Sequence, residues 1–255
     1  LDSQLKGKRA LVSGASRGIG RAIAEKFLEE GASVAICARG QESLDETVEA
    51  LSKYGNIIGM ACDVADFDAV TAWVNDAAGK LGGIDAIVSN VSASAQMGPG
   101  PDGWRANFEA DLLSAVAMVE AATPFLEQSD VASIVQIATI TAVEHHNMPI
   151  SASYGALKAA TINHMAQVAQ RLGEKGIRAN TVSPGPILIE GGAWDNIKQN
   201  MTPLYERDRD QHPSKRLGTD KEVANVAVFL SSPLASWITG ANVPVDGGFT
   251  KGVHF

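Results

Sequence analysis

Tyr154 and Lys158 stand four residues apart in the run Ser151-Ala152-Ser153-Tyr154-Gly155-Ala156-Leu157-Lys158. In a helix that spacing puts both side chains on one face. An isolated phenol ionises near ~10. A neighbouring ammonium favours the phenolate and lowers that value. The pair therefore suits proton transfer to a carbonyl oxygen, or from an alcohol, near neutral pH. The same spacing is common on helices, so its weight depends on what accompanies it.

A glycine-rich turn accompanies it: Ser13-Gly14-Ala15-Ser16-Arg17-Gly18-Ile19-Gly20. Glycines permit a tight turn and close approach of backbone to a pyrophosphate, and a helix opening there aims its free N–H groups at the anion. The spacing Gly14-x-x-x-Gly18-x-Gly20 lacks a following Gly-Lys-Ser/Thr, which points to a dinucleotide rather than a P-loop. The next strand ends in Ala38-Arg39-Gly40. A carboxylate there would bind a ribose 2′-hydroxyl and repel a 2′-phosphate. Arg39 and Arg17 can instead clamp a phosphate. NADP(H) is the expected cofactor, with NAD(H) the alternative. Asp63, after the third strand, is placed either to accept from an adenine amino group or to cap its own loop.

The elements that must position these residues alternate along the chain. Strands are predicted over 9–12, 33–38, 57–62, 86–89, 133–138, 178–182 and 242–245, and helices over 18–30, 41–54, 66–81, 103–126 and 151–173. Ile19, Ile23 and Phe27 recur every four residues, Gly31 is placed to end that helix, and Asp66 is a plausible N-cap. The alternation implies βαβ units: an α/β, doubly wound parallel sheet with helices on both faces and a crevice at the strands' carboxyl ends. No repeat or linker interrupts it, so one domain over 1–255 is expected. The stretch 184–217 reads as irregular, with Pro184, Pro186, Pro203 and Pro213, and a substrate lid over 186–215 is expected from it. No element is assigned over 218–241.

Composition narrows the function classes. The 255 residues carry 21 Lys plus Arg against 29 Asp plus Glu, a net charge of −8, which argues against nucleic acid or an anionic membrane as partner. Cys37 and Cys62 cannot build a disulfide framework, and no zinc spacing occurs, so no metal is expected. Residues 1–8 lack a signal-peptide pattern, and no run approaches ~18 apolar residues. A soluble, cytoplasmic protein is expected.

Taken together the motifs resemble the short-chain dehydrogenase/reductase family. The matching residues are Gly14-x-x-x-Gly18-Ile19-Gly20, Asp63-Val64, Asn90, Tyr154-x-x-x-Lys158, Asn180-x-Val182-x-Pro184-Gly185 and Val245-Asp246-Gly247-Gly248. They run in family order over nearly the whole chain. The resemblance implies a seven-stranded Rossmann-like fold and hydride transfer between nicotinamide and a carbonyl or secondary alcohol carbon. Tyr154 is then the general acid/base, and Lys158 holds the nicotinamide ribose. Gly14, Ser16, Arg17, Gly18, Ile19, Gly20, Arg39, Asp63, Val64, Asn90, Pro184, Gly185 and Ile187 would contact the cofactor. The Tyr-to-Lys interval argues against the enoyl-reductase branch; the chain is similar to ketoreductases of the 3-oxoacyl-carrier-protein reductase kind. A homotetramer, or homodimer, is also implied.

Several positions depart from the family pattern. Ser89-Asn90-Val91-Ser92 retains only one asparagine of that motif. The catalytic serine is replaced by Thr139, by strand register, or by Thr141, by counting back from Tyr154; Thr139 is preferred. The helical asparagine near the lysine becomes Asp111, with Asn107 one turn earlier the alternative. Ile189 stands where many members have threonine. Expected pocket residues are Val91, Thr141, Pro149, Gly185, Ile187 and Trp194, with His145 or His146. The acidic run Glu127-Gln128-Ser129-Asp130 argues against docking an acidic carrier protein, leaving a small carbonyl or alcohol as substrate. The departures keep a second reading open, an NADP(H)-binding sensor or scaffold with impaired catalysis.

Overall fold

The computed structural model describes residues 2–93, 100–144 and 152–252. Its seven strands are β1 (Arg9–Ser13), β2 (Ser33–Ala38), β3 (Ile57–Ala61), β4 (Ala86–Ser89), β5 (Ser133–Ile137), β6 (Arg178–Pro184) and β7 (Asn242–Val245). They form one sheet in the order β3-β2-β1-β4-β5-β6-β7, and every pairing is parallel. The order reverses direction between β1 and β4, so a crevice opens there at the strands' carboxyl ends. Both faces of the central strands are covered. Val12, Val88, Val135 and Val182 pack into one core cluster, and Leu11, Ile87, Ile134 and Ala179 into the other.

The first cluster lies under α1 (Gly18–Glu29), α2 (Gln41–Leu51) and α9 (Asp220–Ser231), the second under α3 (Phe67–Leu81), α5 (Ser114–Leu126) and α6 (Ala152–Leu172). Asp66 caps α3, accepting from the N–H groups of Asp68 and Ala69. Cys37 and Cys62 are buried free thiols.

Three stretches differ from the sequence expectation. The helix expected over 103–126 is broken into α4 (Pro101–Asn107), a π-helical turn over Phe108–Leu113, and α5. Within the excursion expected to be irregular, α7 (Ala193–Asn200) and α8 (Thr202–Gln211) form, with Pro203 in the first turn of α8, where a missing N–H costs nothing. Residues 218–241 contain α9, opened by a capping box between Thr219 and Glu222 and packed against α1. The excursion is clasped at its base. Leu188 N–H donates to Gly218 O (2.9 Å) and Gly218 N–H to Pro186 O (3.0 Å). Among the described residues no helix is long and apolar enough to cross a membrane.

Candidate active site

Lys158 projects from the first half of α6 into the protein and is almost fully buried. Its Nζ donates to Ile137 O (3.1 Å) and Val91 O (3.2 Å), and lies 3.3 Å from Asp111 Oδ1. These three oxygens match the three donors of an ammonium. Asp111 sits in the π-helical turn, and its Oδ2 accepts from Asn107 Nδ2 at 2.6 Å. Asn107 Oδ1 in turn accepts from Ser153 Oγ at 2.8 Å. All four side chains are buried. Asp111 meets the lysine, and Asn107 stands behind Asp111. Burial pushes Lys158 below its ordinary pKa, and the Asp111 carboxylate opposes that shift. A ribose hydroxyl reaching Lys158 must share or displace one of its three present oxygens.

Tyr154 lies one turn before Lys158 and is partly exposed to the cavity described below. The Thr139 and Ser92 side chains favour the ionised form of its hydroxyl. Thr139 caps the short turn Ile140–Ala142: its Oγ1 accepts from the backbone N–H of Thr141 and donates to the Thr141 hydroxyl, both at 3.2 Å. Thr139 is thus the threonine that acts on the tyrosine, and Thr141 is hydrogen-bonded to Thr139. Sequence reasoning expected Lys158 to lower the phenol. Instead burial, reinforced by the Asp111 charge, pushes Tyr154 up to about 12, against the lowering effect of the Thr139 and Ser92 side chains. Burial acts on both members of the pair in the sense that opposes charge, raising Tyr154 and lowering Lys158.

The glycine turn lies between β1 and α1, at the crevice. Gly14 has φ +64°, a left-handed conformation that side chains disfavour. Gly20 is needed for space: a Cβ there would lie 2.4 Å from Gly14 O and 2.5 Å from Asn90 Nδ2. Asn90 bridges the crevice, donating through Nδ2 to Gly14 O (2.9 Å) and Ser13 O (3.3 Å). Helix α1 starts with no side-chain cap and no acidic residue in its first turn. Arg17 and Arg39 are both exposed beside the turn and form no ion pair among the described residues. An uncapped helix start, a glycine cradle and two uncommitted guanidiniums fit a phosphorylated dinucleotide. The Ser16 carbonyl accepts from Thr47 Oγ1 at 2.9 Å, which ties the turn to α2. Asp63 is exposed and its Oδ1 accepts from Ala65 N–H (3.1 Å), the capping alternative, while Val64 is buried in the core.

A cavity of about 430 Å³ joins the two halves. Asn90, Ser92, Thr139, Thr141, Tyr154 and Lys158 line one side, and Ile19, Pro184, Gly185, Ile187 and Ile189 another. Helices α7 and α8 supply Trp194, Ile197, Met201, Leu204 and Asp208, and Phe249 completes the wall. Thr141, Gly185, Ile187 and Trp194 thus stand where the sequence placed a pocket. Val91 does not line it; it packs on the core, and its carbonyl holds Lys158. Pro149, His145 and His146 lie outside the described residues. Sequence reasoning missed Ser92, Met201, Leu204, Asp208 and Phe249. The first turn of α8, marked by Pro203, could have pointed to Met201 and Leu204; no comparable signal marks Asp208. Among the described residues no group of three metal-ligating side chains assembles.

Comparison with known proteins extends this geometry. A family model described as "Enoyl-(Acyl carrier protein) reductase" matches residues 14–250. Isoepoxydon dehydrogenase patN of Aspergillus clavatus is 43% identical over 260 residues, covering 100% of this chain and 99% of that protein. The crystal structure of L-sorbose reductase from Gluconobacter frateurii, complexed with NADPH and L-sorbose, superposes with a TM-score of 0.90. The two are 29% identical, over 99% of this chain and 100% of that one. A 7α-hydroxysteroid dehydrogenase complexed with NADH and 7-oxo glycochenodeoxycholic acid gives a TM-score of 0.88 at 31% identity, over 99% and 98% of the two chains.

Proposed function

We propose a function from the premise that the chain belongs to the short-chain dehydrogenase/reductase family and is an oxidoreductase. It acts with NADP(H) on a small-molecule carbonyl or secondary alcohol, with Tyr154 as general acid/base. The observation that carries this reading is a single cavity lined by Tyr154, Thr139 and Lys158 on one side and Pro184, Gly185 and Ile187 on the other. The bound nicotinamide supplies or accepts the hydride. Tyr154 gives its proton to the developing alkoxide in reduction, and Thr139 orients the tyrosine hydroxyl. Lys158 and Asp111 anchor α6 against β4 and β5. Residues 186–215 act as a lid, which is supported by the α7 and α8 side chains in the cavity wall.

Arg17 and Arg39, exposed and without acidic partners among the described residues, support a 2′-phosphate and hence NADP(H), with NAD(H) the weaker ligand. A phenol pushed up to about 12 keeps its proton at neutral pH, which supports carbonyl reduction as the faster direction. The same value, with Asp111 beside the pair, is the observation favouring the second reading, a cofactor-binding sensor with impaired catalysis. A homotetramer or homodimer is supported by Trp237, 99% exposed, and by the partly exposed Phe229 and Leu234 near it in sequence. The buried free thiols support a cytoplasmic location.

The test is NADPH consumption against a panel of ketones and aldehydes, with NADPH binding measured in parallel. Turnover should fall by about 10²- to 10⁴-fold in Tyr154→Phe while NADPH affinity is kept. Undiminished turnover refutes the role of Tyr154. Tight binding with no turnover across the panel establishes the sensor reading instead.

A further inference from the structure

Along α7 and α8 the cavity wall is mostly apolar, with two polar side chains, Asn196 and Asp208, of which only Asp208 is buried. Asp208, on α8, lines the cavity, and its side chain is almost fully buried. One carboxylate oxygen is committed: Oδ1 accepts from Arg207 Nε at 2.6 Å and from Gln211 Nε2 at 3.1 Å. The other, Oδ2, is buried and accepts no hydrogen bond among the described residues. A buried acceptor left without a donor is unfavourable, and a charged one more so. The backbone around it is held firmly. His212 Nδ1 is hydrogen-bonded to Asp208 O at 2.8 Å, and the His212 ring packs on Phe249, with centroids 4.8 Å apart. Phe249 lines the same cavity. Asp208 is thus an acceptor fixed in the wall of the cavity that Tyr154 also lines.

We propose that Asp208 is a specificity residue, accepting through Oδ2 a hydrogen bond from a hydroxyl on the substrate remote from the reacting carbonyl. The substrate class is a compact hydroxyketone, or the corresponding diol in the oxidative direction. A neutral hydroxyl fits better than an ammonium. Arg207 already meets the carboxylate's charge, and a second cation among Met201, Leu204 and Phe249 would lose its hydration without a further anion to pair with. The cavity volume of about 430 Å³ suits a small ring or short chain carrying both groups. This inference rests on the oxidoreductase reading given above.

The test compares 4-hydroxycyclohexanone with cyclohexanone as substrates with NADPH, and trans-1,4-cyclohexanediol with cyclohexanol as ligands of the NADP⁺-loaded protein by calorimetry. Wild-type protein should prefer the hydroxylated member by about 10- to 100-fold in kcat/KM and in affinity. Asp208→Asn, which turns an acceptor into a donor, and Asp208→Ala should each lower that ratio at least about tenfold, with NADPH affinity confirming the fold. A wild-type ratio near one, or a ratio equal in wild type and both variants, overturns the inference. If the ketones are reduced with no such preference, the oxidoreductase reading stands and this inference alone fails. If no ketone is reduced but the diol preference is present and lost on substitution, the inference stands and the catalytic reading fails. The wild-type comparison decides the question even where a variant does not fold.

Discussion

Replacing Asp111 by Asn would remove one charge of a fully buried pair and restore the family's residue type. Two unit charges 3.3 Å apart attract by about 5 kcal/mol at an effective dielectric constant of ~20. Asparagine keeps one acceptor, which can serve Lys158 or Asn107 but not both. The ammonium is then left with Val91 O and Ile137 O and no counter-charge. Breaking a buried pair in this way costs about 3–5 kcal/mol, which for a chain of this size lowers Tm by about 6–20 °C at neutral pH. The pH dependence has a definite sign. Burial already holds Lys158 below its ordinary value, and only Asp111 opposes that. Without Asp111 the folded pKa falls further below the unfolded one. A lysine depressed in the folded state destabilises most below its folded pKa, and the penalty fades as pH rises toward the unfolded value, ~10.4. The gap between wild type and Asp111→Asn should therefore narrow from pH ~7 to ~10. Calorimetric melts across that range measure it. A neutral-pH difference below ~2 °C, or a gap that widens with pH, would refute the buried ion pair as the source of stability. The variant should also shift the alkaline limb of alcohol oxidation to lower pH, because the charge that raises Tyr154 is gone.

Three further outcomes are expected. With Tyr154 pushed up to about 12, ketone reduction should be nearly flat over pH ~6–9, whereas alcohol oxidation should rise about tenfold per pH unit from ~7 to ~10. An oxidation rate independent of pH would remove Tyr154 as its base. Arg39→Asp should weaken NADPH by about 10- to 100-fold and NADH by less than ~3-fold, measured by fluorescence titration; equal losses would defeat the 2′-phosphate assignment. Gly20→Ala should destabilise by about 1–3 kcal/mol and weaken cofactor binding, because its Cβ collides with Gly14 O and Asn90 Nδ2. A melt indistinguishable from wild type would show that the turn relaxes freely.

Legibility in the sequence followed the range of the forces involved. β2, β4 and β7 match their expected bounds, because short apolar runs between turn residues are a local signal. Tyr154, Lys158 and the glycine turn were legible because helix spacing and turn chemistry are local too. The two helices of the excursion were not. The stretch Tyr205-Glu206-Arg207-Asp208-Arg209-Asp210 looks like a solvated polar run, and only the fold shows that Asp208 faces inward while its neighbours stay outside. Helix α9 did carry a local mark, Thr219-x-x-Glu222, that a capping-box search would find. The sign of the Tyr154 shift was beyond the sequence, because it depends on depth of burial and on Asp111 being brought to Lys158 from a π-helical turn.

The clasp at Pro186, Leu188 and Gly218 makes the intervening thirty or so residues exchangeable. The chain leaves the end of β6 and comes back to the start of α9 at adjoining backbone positions, joined by hydrogen bonds of 2.9 and 3.0 Å. Whatever is inserted between those anchors is freed from the register of the strands and has to meet the rest of the protein at few places, such as the His212 contact with Phe249. On the proposed function, substrate preference and nucleotide preference would therefore be inherited separately. A duplicated gene would rewrite the segment from Ile189 to Leu217 and acquire a new substrate without retuning the glycine turn. Grafts made between relatives at these same two anchors should carry substrate choice with them and leave cofactor choice with the host.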